Sequence, residues 1–255
     1  MPLHVKIIVM IGLISSVAFE AGLITAQLKG EKIPRPALGR IAEGSIGEKR
    51  AAFICSGIGA ANAARAVAIL AERKKPEAII FFGIGGAYPS SGLRKGGLAA
   101  AEMEIYADCG LLTGGKTGRP ALPDTKGPKG GFEALGFPLL KMGKKEYFDS
   151  FPLDKILLAK AKKQKSMYSL ATGAFLTVCA TGRPAAMAAR LGERYGAIVE
   201  NMEGAAAAQT ALFYGIPLLE IRGISNITGE PPSKWLKEEA AAVCQEAVLK
   251  ILQVL

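Results

Sequence analysis

The chain has 255 residues, enough for one large α/β domain with a full core, and no shift in composition argues for a second domain. Half of the residues are hydrophobic and 31 are glycine, which excludes a disordered or fibrous protein. The formal net charge of +10 would suit a nucleic-acid-binding protein, which stays open as the non-enzyme alternative. The lysines, however, concentrate in two loop-like stretches without interleaved aromatic residues, Lys116 to Lys145 and Lys155 to Lys165. We therefore expect a solvated basic face and no nucleic-acid partner.

The first apolar segment, Val5 to Ala18, is similar to the core of a signal peptide. It is followed by a poor cleavage site and is too short to span a bilayer, so we predict a buried first strand over Val5 to Leu13 and no membrane partner. The four cysteines are scattered without metal-ligand spacing and mostly lie in apolar runs. They predict reduced core thiols of a cytoplasmic protein, with no disulfide framework and no metal site.

Strands and helices alternate along the rest of the chain. Continuous Val, Ile and Phe runs predict strands covered on both faces, at Arg50–Ser56, Ala78–Phe82, Gly97–Ala107, Ser169–Val178, Ala197–Glu200 and Pro217–Ser225. Helical spacing predicts helices at Ala60–Lys74, Leu153–Lys165, Pro184–Tyr195 and Glu203–Tyr214, with a C-terminal helix capped by Ser233. The Gly-, Pro- and Lys-rich segment Thr113–Lys145 predicts a long loop excursion. The pattern predicts an α/β fold, a mostly parallel or mixed sheet sandwiched by helices in one domain over residues 1–255.

Two glycine-rich turns follow predicted strands. Gly57-Ile58-Gly59 is half of a dinucleotide-binding fingerprint, but it lacks the third glycine and the acidic residue, so a tight strand-to-helix turn is the simpler interpretation. The turn from Gly83 to Gly86 would let the backbone approach a ligand closely. Neither turn carries the lysine of a phosphate-binding loop, which argues against nucleoside triphosphate chemistry.

The most informative stretch runs from Val199 to Gly229. Glu203 opens an alanine-rich helix directly after a strand, and the next strand ends in a polar cluster of Arg222, Ser225 and Asn226. Such residues lie at the carboxyl edge of a sheet, where open α/β folds bind small molecules. A purely structural role for Glu203, stabilising the helix dipole, is the alternative.

Glu20 and His4 carry weaker signals. Glu20 comes just after the first strand, and its spacing alone favours a solvated residue at a helix start. His4 is the only histidine and lies near the terminus, which disfavours Ser-His and Cys-His catalysis.

Several motifs spread over nearly the whole chain carry a family resemblance. They are SGIGAANAA at Ser56–Ala64, FFGIGG at Phe81–Gly86, EIYADCG at Glu104–Gly110, FEALGFPLL at Phe132–Leu140, FPLD at Phe151–Asp154, VENMEGAAAA and EIRGISN. With these motifs the chain resembles the purine nucleoside phosphorylase and methylthioadenosine nucleosidase superfamily, and within it the futalosine hydrolase family. The resemblance implies a three-layer sandwich with a central mixed β-sheet flanked by helices. It also implies homo-oligomers whose partner subunit helps to close the 5′ end of the pocket.

The resemblance also implies roles for individual residues. Glu20 would activate the attacking water, Glu203 and Met202 would hold the ribose, and Phe175 would stack on the purine. Asn226 would face the C6/N7 edge of the base. The full set implied for catalysis is Glu20, Glu203 and Asn226, and that implied for substrate binding is Ile84, Phe175, Leu176, Met202, Glu203, Ser225 and Asn226. Ile84 stands where many relatives carry a serine, which removes a hydroxyl for phosphate and favours water as the nucleophile.

These residue types suit cleavage of an N-glycosidic bond. The reaction passes through an oxocarbenium-like sugar, so one carboxylate near the ribose stabilises the developing positive charge and a second can deprotonate water. No metal or organic cofactor is needed. A basic residue of the segment 116–145 is expected to meet the carboxyphenyl group on the 5′ extension of futalosine.

Asn226 discriminates among substrates. Adenine protonated at N7 presents two donors, which suit an aspartate, whereas a 6-oxopurine presents an acceptor at O6 beside the N7 donor, which suits an amide. The sequence therefore favours hypoxanthine as the released base and futalosine hydrolysis as the reaction. A methylthioadenosine or adenosylhomocysteine nucleosidase and a purine nucleoside phosphorylase remain the alternatives.

Overall fold

The computed structural model of the chain describes residues 10–30, 38–113, 131–133, 136–163 and 169–255. The strands are β1 Met10–Ser15, β2 Lys29–Gly30, β3 Ile41–Ile46, β4 Lys49–Cys55, β5 Ala78–Ala87, β6 Leu98–Tyr106, β7 Leu111–Thr113, β8 Gly131–Glu133, β9 Leu140–Met142, β10 Lys145–Tyr147, β11 Ser150–Pro152, β12 Leu170–Thr177, β13 Ala197–Asn201 and β14 Leu218–Ile227. The helices are α1 Gly22–Gln27, α2 Ala60–Lys74, α3 Lys155–Lys162, α4 Ala185–Tyr195, α5 Gly204–Tyr214 and α6 Lys237–Leu252.

One mixed sheet of ten strands organises the fold. β1 pairs in parallel with β4 and β5, and β14 pairs in parallel with β5 and antiparallel with β6. β12 pairs in parallel with β6 and β13, and β13 returns antiparallel to β5. Strands β5, β14, β6, β12 and β13 therefore close into a ring, a feature that the sequence pattern did not reveal.

Helices cover both faces of this sheet. Successive residues of a strand point to opposite faces, and in β4 Phe53 packs in a cluster that contains Val248 of α6. Its neighbour Ile54 packs in a second cluster that contains Leu70 of α2. The three-layer arrangement with a mixed central sheet is thus confirmed, and it explains why the strands are continuously apolar.

The predicted elements differ from the observed ones mainly at their ends. Helix α2 has the predicted bounds, whereas β3 was not predicted and pairs antiparallel with β4. The predicted cap at Ser233 is wrong, because Ser233 lies in a 3-10 turn and α6 begins at Lys237 without a side-chain cap.

Two predicted segments lie partly outside the described residues. Strand β1 begins at Met10, and residues 5–9 of the predicted first strand are not described. Most of the predicted excursion at 113–145 is not described either, and its described parts contribute the hairpins β7–β8 and β9–β10, each a separate two-stranded sheet. Within the described ranges, no helix is both long and apolar enough to cross a bilayer.

The prediction of four core thiols is half right. Cys55 and Cys244 are buried, whereas Cys109 and Cys179 are exposed because they follow the ends of β6 and β12 in loops. All four are free.

Candidate active site

A cavity of about 250 Å³ opens at the sheet edge where β1, β5, β13 and β14 end. The carboxyl ends of parallel strands meet at one edge of a sheet, which brings together residues distant in sequence. The cavity is lined by Ser16, Val17, Phe19, Glu20, Ile58, Ile84, Gly85, Gly86, Val178, Thr181, Glu200, Asn201, Met202, Glu203, Arg222, Ser225, Asn226, Trp235 and Lys237.

Glu20 lies in a 3-10 turn after β1 and is buried against the cavity floor. Its Oε2 accepts the backbone N–H groups of Ser16 and Val17 at 3.1 Å each, and its Oε1 accepts that of Ile84 at 2.8 Å. Burial raises the pKa of the Glu20 carboxyl, while Arg222 opposes the shift. A carboxyl whose pKa is raised towards neutrality suits a general base. The interpretation of Glu20 as a solvated residue, drawn from its spacing, is therefore wrong.

Glu203 stands at the N-cap position of α5, but its side chain does not cap the helix. Its Oε1 accepts the N–H of Gly59 at 2.9 Å, and its Oε2 lies 3.6 Å from Nη2 of Arg222. The helix is capped instead by Asn201, whose Oδ1 accepts the N–H of Glu203 at 2.8 Å and that of the next residue at 2.6 Å. The Glu203 carboxylate is therefore free to face the cavity, together with Met202.

Arg222 pairs with Glu203 and influences Glu20 electrostatically, a role that sequence reasoning did not assign to it. Its Nε donates to Oε1 of Glu220 at 2.8 Å, and its guanidinium lies over the ring of Phe81, 5.0 Å from the centroid. Burial opposes the charged form, yet the neighbouring carboxylates, Glu20 and Glu203 among them, raise the pKa of Arg222. The available signal was an Arg and a Glu two residues apart in an apolar strand, hence on one face.

Ser225 and Asn226 form the opposite end of the cavity. The Ser225 hydroxyl donates to Oδ1 of Asn226 at 2.7 Å and lies 3.2 Å from the carbonyl oxygen of Gly85. This bond orients the amide. Among the described residues, no acceptor engages Nδ2 of Asn226, so the Nδ2 donor is available to a ligand in the cavity.

Ile84 lines the cavity at its centre and also supports the two charged groups. Its N–H donates to Glu20, and its carbonyl oxygen accepts Nη1 of Arg222 at 3.3 Å. The backbone of Ile84 therefore helps to position Glu20 and Arg222 through these two hydrogen bonds.

Phe175 and Leu176 do not reach the cavity, which corrects the roles that the resemblance implied for them. Both are fully buried. Phe175 packs in the cluster beneath α2 and α5, and Leu176 packs beside Tyr88. Alternation along β12 sends these side chains to different packed clusters. Val178 and Thr181, beyond the end of β12, line the cavity instead.

A buried carboxyl pair, Glu104 and Glu220, lies behind the cavity. Asn201 Nδ2 donates to Oε1 of Glu104 at 2.6 Å, and Thr177 Oγ1 donates to Oε2 at 2.7 Å. Burial and the adjacent Glu220 raise the pKa of Glu104 well above its usual range. A proton held on Glu104 would satisfy Oε2 of Glu220, which is otherwise unpartnered among the described residues. No sequence motif pointed to this pair.

Aromatic and basic side chains surround the open end of the cavity. Phe19, Ile58 and Trp235 line it, and Nζ of Lys237 lies 5.8 Å from the centroid of the Trp235 ring. Most of the lysine segment predicted to meet a 5′ extension, residues 114–130, lies outside the described residues. Lys237 was not among the predicted residues. The described residues contain no group of three or more His, Cys, Asp or Glu that could hold a metal ion.

Comparison with known proteins identifies one superfamily and several relatives within it. Residues 10–255 match the model of the phosphorylase superfamily. The chain is 35% identical over 201 residues to a futalosine hydrolase of Thermus thermophilus, covering 78% of this chain and 80% of that protein. It is also 26% identical over 257 residues to a 5′-methylthioadenosine/S-adenosylhomocysteine nucleosidase of Mycobacterium bovis, covering 97% and 98% of the two chains.

Solved structures show the same fold. A 5′-methylthioadenosine/S-adenosylhomocysteine nucleosidase of Colwellia psychrerythraea in complex with adenine superposes with a TM-score of 0.76 at 23% identity, covering 97% of this chain and 96% of that one. A futalosine hydrolase of Helicobacter pylori superposes with a TM-score of 0.76 at 18% identity, covering 97% and 99%.

Proposed function

The chain belongs to the phosphorylase superfamily as a nucleosidase, an N-glycosyl hydrolase, and from this premise we propose that its substrate is futalosine. Hydrolysis would release hypoxanthine and dehypoxanthinyl futalosine, a step in menaquinone biosynthesis. The similarity to the futalosine hydrolase of Thermus thermophilus supports this substrate over other nucleosides.

The amide of Asn226 carries the choice of base. Its Oδ1 accepts from Ser225 and its Nδ2 is available to the cavity. A donor at this position complements O6 of hypoxanthine and opposes the 6-amino group of adenine. An unmatched pair of buried polar groups costs roughly 1–3 kcal/mol, which is enough to select between the two bases.

The two carboxylates divide the chemistry between them. Glu20 acts as the base that takes a proton from the attacking water, and its burial favours a pKa suited to that task. Glu203 accepts hydrogen bonds from the ribose hydroxyls, and its negative charge stabilises the oxocarbenium-like sugar. Arg222, 3.6 Å from Glu203, helps to hold that carboxylate, whereas Glu20 is held by backbone N–H groups. Asn226 stabilises the departing base at N7.

The open end of the cavity suits the 5′ extension of futalosine. Phe19 and Trp235 offer apolar surfaces for a phenyl ring, and Lys237 offers an ammonium group for a carboxylate. We further propose a homo-oligomer, which light scattering on the purified protein tests directly.

A methylthioadenosine or adenosylhomocysteine nucleosidase is the second candidate. The apolar residues at the open end would also accept a methylthio group, and the Mycobacterium bovis relative is matched over nearly its whole length. The amide of Asn226 argues against this candidate, because its donor would face the 6-amino group of adenine.

Chromatographic detection of the free base tests the proposal. The protein is incubated with futalosine, inosine and methylthioadenosine, each with and without phosphate. We expect hypoxanthine from futalosine at a rate that phosphate does not change. Release of adenine alone would contradict the choice of substrate, and strict dependence on phosphate would identify a phosphorylase.

A further inference from the structure

Three neighbouring strands present one row of residues to the cavity. Glu200 of β13 pairs with Gly86 of β5, and Gly86 pairs with Asn226 of β14, so the three share a register. A Cβ built on Gly86 would lie 3.0 Å from Nδ2 of Asn226 and 3.4 Å from Cγ of Glu200. It would also lie 3.2 Å from Cγ2 of Thr228, so the absence of a side chain at Gly86 lets the amide of Asn226 and the side chain of Glu200 approach each other closely. All three residues line the cavity.

Glu200 is a buried carboxyl group that accepts several donors. Tyr88 donates its hydroxyl to Oε2 at 3.1 Å, and Thr181 donates to Oε1 at 3.0 Å. Nη1 of Arg183 lies 3.9 Å from Oε2, and Asp108 in turn faces Arg183 at 3.5 Å. Burial raises the pKa of Glu200, but the two hydroxyl donors and the guanidinium oppose that shift. Each carboxylate oxygen retains a lone pair for a ligand.

A 6-oxopurine matches this row of side chains. Its O6 is an acceptor and the adjacent N1–H is a donor, whereas adenine has a donor at the 6-amino group and an acceptor at N1. An amide donor beside a carboxylate acceptor therefore complements hypoxanthine at two neighbouring atoms. With adenine both contacts would be mismatched. The Nδ2 donor of Asn226 would face the 6-amino donor, and the Glu200 carboxylate would face the lone pair of N1.

We propose that Glu200 is a specificity-determining residue that accepts the N1–H of a 6-oxopurine base while Asn226 donates to O6. The proposal rests on the proposed function, since it concerns the same cavity and the same base. It also identifies a residue for the N1 edge of the base. Leu176, which the resemblance implied for substrate binding, is fully buried and does not line the cavity.

The test is the substrate preference of the Glu200→Gln variant. The amide keeps the size of the side chain and an oxygen for the hydroxyl donors, but it loses the charge and can turn an N–H towards N1. We expect the ratio of kcat/KM for futalosine to kcat/KM for its 6-amino counterpart to fall at least about tenfold. The matched control is Glu102→Gln, which neutralises a half-exposed glutamate outside the cavity and should leave the ratio unchanged.

A merely structural role for Glu200 gives a different result. If Glu200 only held Tyr88 and Thr181, both substrates would lose activity equally in Glu200→Gln and the ratio would stay constant. That outcome would overturn the inference and leave the proposed function intact. If the wild-type protein released no hypoxanthine from futalosine, both would be overturned.

A ligand series on the wild-type protein gives a second measurement that does not depend on a variant folding. Hypoxanthine and 1-methylhypoxanthine are compared as product inhibitors, because the methyl group removes the N1–H. We expect the methylated base to inhibit at least about tenfold more weakly. In Glu200→Ala, which makes room for the methyl group, this difference should shrink. Equal inhibition of the wild-type protein by both bases would overturn the inference.

Discussion

At the scale of single residues, the properties of Glu20 come from its surroundings. Three backbone N–H groups hold the carboxylate in one orientation, at 2.8 to 3.1 Å. Burial raises its pKa, and a protonated carboxyl cannot take a proton from water. As the pH falls through this raised pKa, the active base is lost.

We predict that the acid limb of the kcat/KM profile lies above the pH range of an ordinary glutamate. Glu20→Gln should lower kcat by about 10²- to 10⁴-fold and abolish the acid limb, because the amide does not titrate. The pH profiles of both proteins measure this. Glu146→Gln, at an exposed ion pair on β10, is the control expected to behave as wild type. A Glu20→Gln variant that retains the wild-type rate would exclude Glu20 as the base.

Asn226 yields a second prediction at this scale. Asn226→Asp removes the donor to O6 and adds a negative charge in a buried position, so kcat/KM for a hypoxanthine nucleoside should fall by roughly 5- to 150-fold, corresponding to 1–3 kcal/mol. Activity on an adenine nucleoside should rise relative to it. Unchanged kcat/KM for the 6-oxopurine substrate would contradict the role assigned to Asn226.

At the scale of elements, the start of α5 is fixed by hydrogen bonds to the buried carboxyl pair beside the cavity. Asn201 caps the helix, Thr177 accepts the N–H of Ala205 at 2.7 Å, and both donate to Glu104. A Cβ built on Gly204 would collide with the carboxyl groups of Glu104 and Glu220. Only glycine therefore fits where the helix crosses the buried carboxyl pair.

Replacement of this glycine should destabilise the protein. Gly204→Ala forces atoms into a packed polar core, and overpacking of this kind typically costs about 1–3 kcal/mol or more. Denaturant unfolding of the variant and wild type measures the difference. Gly22→Ala is the control, since no atom lies within 4 Å of its added Cβ and its backbone is right-handed helical. If Gly204→Ala were as stable as Gly22→Ala, the close approach described for Gly204 would be wrong.

Sequence reasoning succeeded at this scale where local signals were strong. Helix α2 had the predicted bounds because its apolar positions keep helical spacing between two turns. Strand β3, Ile41–Ile46, was missed because its burial is irregular and because, among the described strands, it pairs only with β4 and the short β2. The closed ring of strands depends on pairings between distant segments, which no local pattern contains.

The candidate site was also predicted only in part. The family resemblance implied roles for Glu20, Glu203 and Asn226, and all three line one cavity. Phe175 was misplaced because the family motif gives a residue type and not the direction of its side chain in β12. Glu200 was not assigned a role because its partners Tyr88 and Thr181 come from other segments of the chain. Arg222 was not assigned one although Glu220 in the same strand was a local signal.

At the scale of the whole molecule, the ring of strands explains why one cavity can both hold a sugar and select a base. β13 and β14 flank β5 at its carboxyl end, so polar residues of β13 and β14 meet over the glycine positions of β5. Glu20, Glu203, Arg222 and Asn226 all line this cavity, and the proposed function assigns the first three to the sugar and Asn226 to the base. The formal charge of +10 would favour the approach of the anionic nucleoside that we propose as substrate.

Hydrolysis of a 6-oxopurine nucleoside can be tested by one ratio of rates. kcat/KM is measured for futalosine and for methylthioadenosine with the wild-type protein in phosphate-free buffer, and the released base is identified. The account predicts hypoxanthine release from futalosine with kcat/KM at least about tenfold higher than for methylthioadenosine. Faster release of adenine from methylthioadenosine would contradict it.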